Sequence, residues 1–146
     1  MQTAIYIIFT FLMGIIMSIY LPMNSSVSKY IGSSITANVI FFTIALITAI
    51  VIFLFFGEFQ SIYRMNEVPA YLYLPGFLSA FIILGTTLLI PHIGARKFFI
   101  LLIAGQIVTA IVISHFGVLE SPSDPISIKK MLGASLVIAG TIISIH

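Results

Sequence analysis

The stretch FFILLIAGQIVTAIVISHFG, residues 98–117, is apolar almost from end to end. Wound as a helix, about 20 such residues cross the roughly 30 Å hydrocarbon layer of a bilayer. Two side chains stand out in it, Gln106 near the middle and His115 near the end. The run predicts a membrane span. The two polar groups pose a second question, because a polar side chain inside hydrocarbon is costly unless it is partnered or used.

Working outward, four more segments share this character: residues 3–21, 35–56, 70–90 and 128–145. The spacing predicts five transmembrane helices, since lipid cannot satisfy a free backbone N–H or C=O and a helix bonds its own. Composition agrees. Of 146 residues, 60% are hydrophobic and 7% charged, against about a quarter charged in a soluble domain. The fold class expected is all-α, a polytopic membrane protein forming one five-span domain in the lipid bilayer. The N-terminal run lacks a basic leader and a small-residue cleavage site, so it reads as a retained first span.

Turn chemistry separates the spans. Pro22 with NSS and then GSS is expected to close the first, GEFQSIYRMNEVP the second, PHIGARK the third and GVLESPSDPISIKK the fourth. In the second of these, Phe59, Ile62 and Tyr63 fall at helical spacing between charged residues. They make either a short interfacial helix or an ordinary loop.

Several function classes drop out. With no Cys there is neither a disulfide nor a thiolate metal site. A net charge of +2, scattered in pairs at most, offers nothing to nucleic acid. No nucleophile–base pair, metal-ligand cluster or phosphate loop is visible, so neither an enzyme nor a cofactor is expected. No Asp or Glu lies in a span; Glu58 and Glu67 flank the second loop, and Glu120 and Asp124 lie in the fourth.

Orientation is the most informative reading. Cytoplasmic loops are normally rich in Lys and Arg. Here the side of the N-terminus holds Arg64, Lys129 and Lys130, and the opposite side holds Lys29, Arg96 and Lys97. Three against three gives no instruction. The chain is expected to insert both ways, so that two copies pair antiparallel as inverted repeats, the arrangement many transporters build within one chain.

The chain also resembles the YdcZ family of small bacterial inner-membrane proteins, within the drug/metabolite transporter superfamily. The resemblance is carried by Gly14 and Asn24 followed by IGSSITANVIFF, by PAYLYLPGFLSAFIILGTTLLIPHIGA, by AGQIVTAIVISHFG and by DPISIKKMLGASLVIAG. It implies half of a ten-helix transporter that pairs or is fused with an inverted partner and exports or exchanges small molecules. Where the family usually has Gln, Gly and Asp, this chain has Tyr20, Ala45 and Ser114. Small multidrug antiporters of the same superfamily rely on an intramembrane Glu, which this chain lacks; that argues against strongly cationic cargo.

Candidate site residues follow from depth and chemistry. Gln106 has Ala104 and Gly105 beside it and Thr109 on its face. Its amide donates and accepts, which suits a neutral or zwitterionic solute; otherwise it is an interhelical bond. Asn24 shares a face with Thr10, Gly14, Met17, Leu21 and Ser28. It either lines a cavity next to the carbonyl freed by Pro22 or caps a helix. Thr86 lies on a face with Gly76, Ser79 and Ile83, a pore wall or a packing seam, and Asn38, Ala45 and Ala49 form a similar face. Tyr20 is a secondary wall. Gly133 and Gly140, two turns apart, suit a dimer seam or packing within one subunit. His92 and His115 sit at membrane boundaries where water can satisfy them.

The reading is a transporter of small uncharged or zwitterionic solute, working as an antiparallel dimer. The rivals are a non-transporting membrane adaptor and one subunit of a heterodimer.

Overall fold

The computed structural model describes residues 2–119 and 123–145, so Glu120 lies outside the described residues. It is built of five long helices: α1 (Gln2–Ile31), α2 (Ser34–Phe56), α3 (Leu74–Ile93), α4 (Ala95–Phe116) and α5 (Ile128–Ile145). Two short 3-10 segments, Phe59–Glu67 and Ala70–Tyr73, join α2 to α3, and no strand occurs among the described residues. Five segments, the third counted from Ala70, are long and apolar enough to cross a membrane. Most of their large apolar side chains are exposed, as expected where lipid replaces a protein core.

Two boundaries differ from the sequence reading. Pro22 does not end α1, which runs on to Ile31. Proline lacks one N–H and costs the helix the bond to Ser18, but the turns on either side persist. The real stop is Gly32, whose φ of +77° is a left-handed conformation that glycine adopts without strain. Ser33 then caps α2, its hydroxyl oxygen accepting from Thr36 N at 3.2 Å. The third helix begins late for a similar reason. Pro75 has no N–H to offer the Tyr71 carbonyl, which accepts from Leu74 N in a 3-10 turn instead. The Phe59–Glu67 segment is helical, of the 3-10 kind, with none of its residues buried.

The chain divides between His92 and Ile93 into two compact units. In the first, α1 to α3 bury Leu21, Ala37, Ile83 and Ile90 together with a row of polar side chains. In the second, α4 packs on α5. Left-handed Gly117 closes α4, with Val118 N donating to Ile113 O and Gly117 N to Ser114 O, both at 3.3 Å. Arg96 reaches the last turn of α5 and donates to Ser144 O at 2.8 Å, where a cation meets the negative end of the helix.

The loop between α4 and α5 is tied back to α4. Asp124 N donates to Ser114 O at 2.8 Å, and Ile126 N donates to Nδ1 of His115 at 3.2 Å. Lys130 pairs with the Asp124 carboxylate. The chain itself thus supplies a partner for Nδ1 of His115.

Candidate functional site

In the first unit the polar residues converge on Thr87. Its side chain is fully buried, and its hydroxyl donates to Ile83 O in its own helix at 2.8 Å. The same oxygen accepts from Nδ2 of Asn24 at 2.8 Å. One residue along α1, the hydroxyl of Ser25 donates to the Thr87 carbonyl at 3.4 Å. That carbonyl is free because its regular partner would be residue 91, a proline inside α3. A proline in one helix thus creates an acceptor that a serine in another fills. Asn38 adds a second tie from α2 to α3, donating from Nδ2 to Ala80 O at 3.3 Å.

Asn24 is therefore no helix cap. It sits inside α1, only 7% exposed; its Nδ2 reaches α3, and the residue also lines a cleft. The cleft lies between α1 and α2 and has a volume of about 290 Å³. Tyr20 and Phe41 form its aromatic side, their rings stacked with centroids 5.9 Å apart. Ala45 also lines it. The structure thus brings Asn24 and Tyr20 together in one cleft.

Thr86 is placed differently. It is 2% exposed, donates to Ile83 O at 2.7 Å, and lies against the packed face of α3. Of the face proposed with it, only Ile83 and Thr86 are buried. Gly76 is exposed with open space around it, and Ser79 is half-buried. On α1 the expected face splits likewise: Leu21, Asn24 and Ser28 are buried, whereas Thr10 and Gly14 are exposed.

Gln106 belongs to the second unit. It lines an open groove of about 530 Å³ on α4 with Gly105, Thr109 and Ala110. Thr109 bonds back to Gly105 O at 2.9 Å, while Gln106 is exposed and makes no hydrogen bond among the described residues. Gly133 and Gly140 are exposed on α5, and a Cβ at either would meet nothing within 4 Å.

Sequence reasoning missed Ser25 and Thr87. The signal was present in Pro91, which frees the carbonyl four residues before it.

With this geometry in hand, comparison with known families is decisive. The model of the family described as "Putative inner membrane exporter, YdcZ" matches residues 5–143. The chain belongs to the YdcZ family. It is accordingly a multi-pass protein of the inner membrane, in a family named for export. No curated protein and no solved structure matches the chain at a significant level.

Proposed function

We propose that this YdcZ-family chain exports a small uncharged or zwitterionic solute, two copies in opposite orientation forming one transporter by alternating access. Membership of the exporter family supports transport. The equal Lys and Arg counts on the two sides support dual insertion, because loop charge then favours neither orientation. The absence of Asp and Glu from the five helices favours neutral cargo, since nothing there balances a cation.

The observation that carries the reading is Gln106. An amide at the middle of a span, exposed in a mostly apolar groove and unbonded among the described residues, is costly unless something polar meets it there. We assign that role to the cargo; within the first unit, Asn24 and Tyr20 are proposed as cargo contacts at the α1–α2 cleft, with Thr86 as a secondary one on α3. Gly133 and Gly140 form the seam between copies.

The test is flux of a panel of radiolabelled neutral and zwitterionic solutes in proteoliposomes. The wild type moves at least one of them saturably. Gln106→Leu, still folded and dimeric, raises the half-saturating concentration about tenfold or abolishes flux, as loss of a contact worth roughly 1.4 kcal/mol requires. Unchanged flux through Gln106→Leu would leave the residue as packing.

A further inference from the structure

We infer that the α1–α2 cleft takes an uncharged, mostly apolar ring compound that donates one hydrogen bond to Oδ1 of Asn24. That the cleft serves transport rests on the proposed function; the binding chemistry stands on the geometry alone.

The orientation of the amide follows from counting protons. A threonine hydroxyl has one proton, and that of Thr87 goes to Ile83 O. Toward Asn24 the same oxygen can only accept, so Asn24 must present Nδ2, which it does at 2.8 Å. The network thereby decides which end of the amide is which. Oδ1 is the end left over, and it accepts no hydrogen bond from any described residue. The side chain that carries it is more than nine-tenths buried and lines the cleft. An unpartnered acceptor held by its neighbour in an apolar wall favours a ligand with a matching donor over one without it.

The remaining walls set the body of the ligand. Met23, Val27, Ile40 and Ile44 are aliphatic, and Tyr20 with Phe41 supplies an aromatic side. Among the described residues no charged side chain lines the cleft, so an ion would lose its hydration without gaining a partner. About 290 Å³ lies at the small end of ligand pockets and suits one small ring system. The Tyr20 hydroxyl also makes no hydrogen bond among the described residues, so its share has to be separated from that of Asn24.

Indole and N-methylindole differ in a single donor and form the decisive pair. The chain contains no Trp, so indole fluorescence reports the probe without a tryptophan background. The full chain in phosphatidylcholine nanodiscs is titrated with each compound, and empty nanodiscs correct for lipid partitioning. Wild type binds indole saturably and N-methylindole about tenfold more weakly or worse, the loss expected for an unmade bond to this acceptor. Skatole, which carries its methyl on carbon and keeps the N–H, binds like indole. Tyr20→Phe and Thr87→Ser preserve the discrimination. Asn24→Leu abolishes it, and Thr87→Val, which releases the amide, reduces it. Absence of saturable indole binding, equal binding of the N-methyl compound, or skatole as weak as N-methylindole overturns the inference. So does discrimination that survives Asn24→Leu. Discrimination without flux would instead refute transport and leave the site standing.

Discussion

Thr87 and Gln106 are both polar residues of membrane helices, yet their environments differ in kind. Thr87 is buried and bonded to two neighbouring residues of α1, through its hydroxyl to Asn24 and through its carbonyl to Ser25. Removing the hydroxyl leaves the Asn24 amide without its acceptor. Thr87→Val is expected to lower stability by about 1 kcal/mol, the scale of an interhelical bond in a membrane, and Thr87→Ser by less than half of that. Gln106 has no such partner among the described residues. In detergent-dispersed monomers, Gln106→Leu should therefore change stability by less than about 0.5 kcal/mol, as for a surface substitution. Denaturant or thermal unfolding followed by circular dichroism checks both. A large loss for Gln106→Leu in monomers would make it structural glue.

At the level of helices, the unusual device is the pairing of Pro91 in α3 with Ser25 in α1. Pro91 withholds an N–H from the Thr87 carbonyl, and Ser25 supplies an O–H. The two residues should be coupled. Ser25→Ala is expected to cost about 1 kcal/mol in the native background and distinctly less beside Pro91→Ala, where the helix can satisfy its own carbonyl. A double-mutant cycle by unfolding measures this, and strict additivity would dissolve the link. The five helices themselves were legible, because apolar length alone dictates a span. Their ends were less so. Pro22 looked like a stop and is not, since losing one bond does not unwind a long helix, whereas Gly32 stops α1 by its left-handed backbone. Asn24 was legible as a polar residue of interest but not as a bonded one, because its acceptor lies 63 residues away in the chain. No local pattern reports such a pairing. His115 showed the same limit: its partner, Ile126 N, comes from a loop whose path the sequence does not state.

For the whole molecule, pairing and orientation decide everything else. A Cβ at Gly133 or Gly140 would meet nothing within 4 Å, the open space that the proposed seam between copies requires. Gly133→Leu or Gly140→Leu should shift the population from dimer to monomer in size-exclusion chromatography while helix content stays constant. Intact dimers in both variants would move the seam to another helix. Orientation depends on loop charge, so two Lys added beside Ser61 should fix the chain in one direction. Transport by an oppositely inserted pair is tested most directly by cysteine accessibility in intact cells, for which the chain's lack of native Cys is ideal. Single cysteines at the exposed Ser61 and Ser123, both on the side of the N-terminus, are labelled with a membrane-impermeant maleimide before and after permeabilisation. The expected result is partial labelling of each site from each face, with roughly equal shares because the loop charges balance. Labelling of both sites from one face alone would contradict the antiparallel homodimer.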